Sequence, residues 1–215
     1  MTIRNPERIR GIVNGSKCYG SNDRGASIVE FAFILPILVM LLFGIVDFGR
    51  LIQARLVVAN VSREGGSLAS RVGIDNDVAN PTDDRSEFNK VMNLLYSSAF
   101  PLDLRGADGK IFITRINAGY TKSNPDPWIY MRFSEGAMGV ASVITGAEGQ
   151  GPTGLSVLMR DHLTFQEKND DADMANLTVV EVFYYYRPIT PLPKLMRDLL
   201  LAGNDGILIG SRSYF

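Results

Sequence analysis

The chain has 215 residues, 46% hydrophobic and 21% charged, with a formal net charge of −1. That length holds one membrane element and one compact domain of roughly 100–150 residues. A near-neutral balance without a basic stripe interleaved with aromatics gives a nucleic-acid partner no footing. One histidine, and one cysteine at position 18 that a chain starting at Ala26 would lack, leave a mature chain without His–Cys metal clusters or Cys–His nucleophile pairs.

Residues 1–25 are polar, rich in Gly, Asn and Ser, and without a sustained period, so an unstructured leader is expected. They carry five basic and two acidic side chains, a net +3, which leaves −4 on the remainder. Positive charge beside a span stays cytoplasmic, placing the N-terminus inside and everything after Arg50 across the membrane. The cysteine, Cys18, lies in this leader; a chain starting at Ala26 has no thiol and needs no disulfide in an oxidising compartment.

From Phe31 to Val46 there is no charge, and only one Pro and one Gly stand among the large apolar side chains. A spanning helix needs about 20 such residues, so the span is short from Phe31 and adequate from Ile28, which places Glu30 inside it. A carboxylate at the edge of a membrane helix is costly and marks a function. Pro36 would break a soluble helix, but a kink is tolerated in lipid. It is either a simple bend or a bend that matters for leaving the bilayer. Gly44 and Gly49 either let a neighbouring helix approach or are merely tolerated.

Gly25-Ala26-Ser27-Ile28-Val29-Glu30-Phe31 is a Gly, four residues, a Glu and an aromatic running into a membrane helix, and it resembles the processing site of type IV pilin-like precursors. The further run Val29-Glu30-Phe31-Ala32, Leu35-Pro36 and Gly44-Ile45-Val46-Asp47-Phe48-Gly49-Arg50 is similar to the TadE-like family, minor pilin-like (pseudopilin) proteins of the Tad (Flp) pilus system. The resemblance covers about residues 24–60. It implies cleavage after Gly25 by a membrane prepilin peptidase, partnership with the major Flp pilin, other minor pilins and an inner-membrane assembly platform, and a pilin-like fold. It also implies a bacterial inner-membrane location, single-pass, with the domain periplasmic.

After the span the helix is expected to continue, with Phe48, Leu51, Ile52, Leu56 and Ala59 at helical spacing and Gly65-Gly66 ending or loosening it. The apolar stripe then needs a partner, and a C-terminal sheet is the candidate. Asp75–Asp84 reads as an acidic turn. Residues 86–96 read as a short amphipathic helix closed before Pro101. Strands are expected at Lys110–Asn117, Trp128–Phe133, Leu177–Arg187 and Ile207–Phe215. Gly136–Gly154 reads as a long loop or hairpin with a minor strand at Val140–Ile144, and residues 167–173 as a second acidic loop. The prolines at 188, 191 and 193 force extended chain, and Leu195, Met196, Leu199 and Leu200 form a short helical face. The expected fold class is α+β: a long N-terminal transmembrane helix followed by a small antiparallel sheet with short helices. The expected domains are a cleaved leader at 1–25, the span at 26–47, its extracytoplasmic continuation at 48–66 and an extracytoplasmic α+β domain at 67–215.

Enzymatic chemistry is thin. A Ser-His-Asp triad has only His162 to draw on, and no G-x-S-x-G elbow is present. The glycines at 146–154 lack a P-loop lysine, and the acidic runs lack EF-hand spacing, so no cofactor or metal is expected. Tyr184-Tyr185-Tyr186, Trp128 and Tyr130 read as sheet-packing aromatics, with subunit contact as the alternative. The functional expectation is a non-enzymatic minor pilin. Its rivals are a membrane-anchored periplasmic binding or sensing module with an intact N-terminus, and an anchored periplasmic enzyme.

Overall fold

The computed structural model describes residues 23–72, 82–167, 172, 175–189 and 205–215. The chain divides into two compact units, Met1–Leu42 and Phe43–Phe215. Helix α1, Asp23–Arg71, begins in the first unit and runs unbroken through Pro36. In the second unit α1 is followed by α2 (Thr82–Ser98), β1 (Gly109–Asn117), β2 (Trp128–Glu135), α3 (Val157–Leu163), β3 (Asn176–Tyr186) and β4 (Ile207–Tyr214). The fold is α+β, a long apolar N-terminal helix and a small antiparallel sheet with short helices, as expected.

The sheet has the order β2-β1-β3-β4, every neighbouring pair antiparallel. Its four strands coincide with the four β-branched, aromatic runs of the sequence, which is the pattern a pleated, half-buried surface selects. A register shift at Arg115/Ile116 against β2 sends Ile129 and Met131 into separate cores, because an extra residue on one strand breaks the two-residue alternation.

One face carries the main core. Phe88, Val91, Met92 and Leu95 of α2, at i, i+3, i+4 and i+7, join Ala54, Val58, Val61 and Ala69 of α1 against Ile111, Ile113, Val180 and Val182 of the sheet. Phe88 stacks on Phe133 at 5.3 Å. Buried Arg115 donates from Nη1 to the Val72 carbonyl at 2.8 Å, setting a cation at the end of α1 where the helix dipole favours it.

The helix does meet the sheet, but with only part of the stripe expected: Leu51 packs half-buried against the core and Ala59 is half-buried. Phe48, Ile52 and Leu56 stay exposed, and the buried positions are small or β-branched: Ala54, Val58, Val61, Ser62, Gly65 and Ala69. Close approach is the reason. Gly65 and Gly66 do not end the helix, which continues to Arg71. A Cβ on Gly65 would sit 2.8 Å from Leu95 Cδ1, and one on Gly66 only 2.1 Å from the Phe215 ring. Packing thus outweighs the helix cost of about 1 kcal/mol per glycine. Ser62, fully buried, adds hydroxyl hydrogen bonds to Ser211 (2.8 Å) and Ser213 (3.1 Å) of β4.

The opposite face holds a smaller core of Ile116, Ile129, Ile144, Leu163, Leu177 and Val179. Beside it Glu181 is 1% exposed. Its carboxylate accepts from Arg212 Nε at 2.8 Å, from the Val143 N–H at 3.2 Å and from the Ser142 hydroxyl. Burial disfavours the charged Arg212, but the Tyr214 hydroxyl and Glu181 together lift its pKa above the ordinary value. Arg132 donates from Nη1 to the Gly146 carbonyl at 3.0 Å. These side chains fasten residues 142–146 to the sheet where a strand was expected at Val140–Ile144. No strand forms there, and only an isolated Thr145–Thr153 bridge appears.

Helix α3 was not foreseen. Ser156 caps it by accepting from the Met159 N–H at 3.3 Å, and Leu163 is its buried residue. The second acidic loop falls largely outside the described residues, although Glu167 pairs with Lys122 at 2.8 Å. Asp75 and Asp77, the 195–200 helix and Cys18 also lie outside them.

Candidate functional site

The residues singled out by the sequence lie on α1. Gly25 and Glu30 are exposed, and Ala26 is helical. Phe31 and Phe33 are 63% and 74% exposed. From Ser27 to Leu42 no described side chain is buried. The helix from Ser27 to Arg71 is, by length and composition, long and apolar enough to cross a membrane, with an 18-residue window of mean hydropathy 2.7 and none of that window buried in the protein. In water such a surface would be strongly unfavourable at roughly 25 cal/mol per Å². In lipid the same side chains need no protein partner.

Glu30 is the carboxylate of this stretch, and no described residue pairs with it. Gly25 would meet nothing within 4 Å of an added Cβ, and the same holds for Gly44 and Gly49 in the second unit. Among the described residues no contact therefore demands glycine at these three positions. Pro36 sits inside the helix.

One residue of the run Gly44–Arg50 has contacts that sequence reasoning did not assign. Asp47, the first charge after the apolar run, is 8% exposed. Its backbone carbonyl accepts from the Tyr186 hydroxyl at 3.0 Å, and its Oδ1 accepts from the Ile189 N–H at 3.2 Å. Asp47 thus clasps the end of β3 and the chain leaving it. Burial, then the nearby Asp47, raises the pKa of Tyr186. The available signal was a carboxylate placed next to a hydrophobic run, where an unpaired charge is expensive.

Among the remaining titratable groups, His162 is exposed on α3 beside exposed Asp161. No group of three or more His, Cys, Asp and Glu able to hold a metal occurs among the described residues.

Residues 25–67 match the family model of TadE-like proteins. The TadE-like segment starts on Gly25 and ends on Ser67, so it lies wholly within α1. It takes in Glu30, Pro36, Gly44, Asp47 and Gly49, and also Ala54, Val58, Val61, Ser62, Gly65 and Gly66 of the buried face, but not Ala69. No curated protein and no solved structure matches the chain.

Proposed function

We propose that the protein is a minor pilin (pseudopilin) that takes part in assembling a Tad (Flp) type IVb adhesive pilus. The observation that carries this is the TadE-like match beginning on Gly25, with Glu30 five residues on and an exposed apolar helix behind it. TadE-like proteins are pilus structural components, which favours a non-enzymatic role. On this reading a prepilin peptidase removes residues 1–25, and the helix is anchored in the inner membrane, N-terminus cytoplasmic and domain periplasmic. The functional regions are then the span at 26–47, the continuation at 48–66 and the domain at 67–215.

Cleavage after Gly25 turns Ala26 into a free amine in or near lipid. Glu30 stands four residues, about one helical turn, further along and neutralises that amine in its own or a neighbouring subunit. At low dielectric such a pair is strong, and an unpaired charge is costly. Gly44 and Gly49, which no contact among the described residues requires, and the exposed Phe48, Ile52 and Leu56 are available to pack against helices of the major Flp pilin and other minor pilins. An inner-membrane platform would drive that assembly.

N-terminal sequencing of membrane-fraction protein from the host tests the reading. With the peptidase present the chain should begin at Ala26, and without it at Met1. A chain that keeps Met1 in the presence of the peptidase sinks the pilin reading and leaves an anchored binding or sensing module. Glu30→Ala should be cut normally yet lower pilus number.

A further inference from the structure

The loop between β1 and β2, with Gly149, Gly151 and Arg160 of α3, borders an open cleft of about 490 Å³, within the ~300–1,000 Å³ usual for small-molecule sites. Its walls are held by backbone hydrogen bonds. The Gly119 N–H donates to the Leu163 carbonyl at 2.9 Å, the Phe165 N–H to the Pro125 carbonyl at 2.9 Å, and the Asn124 N–H to the Thr121 carbonyl at 3.0 Å. A Cβ on Gly119 would lie 2.0 Å from the Pro125 oxygen, so this loop is packed too tightly to shift freely. Gly149 and Gly151 leave the opposite rim bare of side chains.

The lining mixes two kinds of group. Trp128, set edge-on to Tyr130 at 5.7 Å, and Tyr120, 63% exposed, supply aromatic surface. Asn124, Asp126 and Arg160 supply planar donors and acceptors. Asp126 and Arg160 face each other at 3.6 Å and remain largely exposed, so their charges offset and their outer hydrogen-bonding positions stay open to a ligand. A charged ligand would have to break that pair, and a hydrocarbon would strand the polar groups. An extended peptide finds no strand edge here. The Ile129 N–H already donates to the Gln150 carbonyl, and the Ile129 carbonyl already accepts from the Gly149 N–H, both at 2.8 Å.

What fits a preorganised cleft with aromatic faces, paired opposite charges and several planar polar groups is a molecule with apolar C–H faces ringed by hydroxyls. We propose that this cleft binds a short neutral oligosaccharide, with Trp128 and Tyr120 against the sugar faces and Asn124, Asp126 and Arg160 on its hydroxyls. The binding is independent of how the N-terminus is processed.

Trp128 is the single tryptophan of the chain, so intrinsic fluorescence reports on this cleft. The full-length protein, in phosphocholine-detergent micelles that carry neither sugar nor tryptophan, is titrated with maltotriose, cellotriose and chitotriose, and in parallel with a proline-rich peptide. Saturable quenching or enhancement is expected with at least one trisaccharide. Affinity should fall about tenfold in Tyr120→Ala and in Asp126→Asn, the size of one lost aromatic or polar contact. Both side chains are exposed, and unchanged circular dichroism would show that the variants fold. No saturable response to any of the three sugars at tens of millimolar overturns the proposal. So does binding that survives both substitutions, or a saturable response to the peptide alone.

Discussion

Along α1, Ile28, Phe31, Phe33, Ile37, Leu38 and Leu41 are all exposed. Further along the same helix, the positions buried on the sheet are Ala54, Val58, Val61, Ser62, Gly65, Gly66 and Ala69. The first set is large and apolar on every side, as suits a hydrocarbon solvent that needs no shape complementarity. The second is small on one face, because α2 and the sheet crowd Gly65 through Leu95 and Val180, and the Phe215 ring excludes even a methyl group at Gly66. One continuous helix therefore carries two kinds of surface, and hydrophobicity alone does not tell the parts apart; side-chain size does.

The sharpest way to break this comparison is to put the same charge into each part. Val58→Asp places a carboxylate at a fully buried position and should cost at least ~4 kcal/mol, the range reached by an unpaired buried charge. Near-UV circular dichroism should show the domain no longer folding cooperatively. Leu38→Asp should leave the domain's urea midpoint unchanged yet reduce membrane insertion by about 2.5–3.5 kcal/mol, read as protein lost from the membrane fraction. If Leu38→Asp unfolds the domain as well, the two parts of α1 are not separate in chemistry.

Glu181→Ala comes next. It strips Arg212, the Ser142 hydroxyl and the Val143 N–H of a shared acceptor. Breaking a buried pair from one side costs about 3–5 kcal/mol. Because Arg212 is 28% exposed and water can reach it, the lower end, about 3 kcal/mol, is expected from urea unfolding. Residues 142–146 should gain hydrogen exchange. A loss under ~1 kcal/mol would mean that the network does not hold this segment.

Glycine substitutions sharpen the contrast at smaller cost. Gly66→Ala drives a Cβ into the Phe215 ring and should destabilise the domain by about 1–3 kcal/mol, as overpacking does. Gly44→Ala and Gly49→Ala meet nothing, and should be neutral or stabilising by up to ~1 kcal/mol through helix propensity. If those two lower pilus number while leaving the monomer intact, the positions serve contacts between chains.

Where local chemistry repeats along the chain, the fold was legible in advance. The four strands, α2 and the apolar span each announce themselves by period or length. What escaped depends on contacts distant in sequence. Gly65-Gly66 reads as a helix stop by propensity, and only Leu95 and Phe215 make it a packing point. Phe48, Ile52 and Leu56 look like the buried stripe because they are larger, yet the close sheet selects smaller neighbours. Glu181 reads as one polar residue in a strand, and its partners lie 39 and 31 positions away. Helix α3 is seven residues long and buries one of them, too little for a period to register. The TadE-like resemblance of residues 25–67 was legible because a family pattern lies in order along the chain. The cleft beside Trp128 was not, since it gathers residues from 120 to 160.

The mildest test concerns Asp47, where the helix is clasped to the end of β3. Tyr186→Phe removes the hydroxyl that donates to the Asp47 carbonyl. It should cost about 1 kcal/mol at neutral pH, since that carbonyl is already in the helix ladder and is not left bare. Alkaline titration adds the sign. Burial raises the pKa values of Tyr96, Tyr184 and Tyr186 above the ordinary 10.0, so the folded state keeps protons that the unfolded state releases. Their contribution is fully present below pH 10 and is lost as pH rises through the folded values. The domain should therefore weaken above pH 10. The gap between wild type and Tyr186→Phe should narrow there, because the variant has one fewer phenol to keep neutral. Tyr96 and Tyr184 would supply the slope that remains. Parallel stability curves across that range would mean that the Tyr186 phenol titrates alike folded and unfolded, and that the clasp does not shield it.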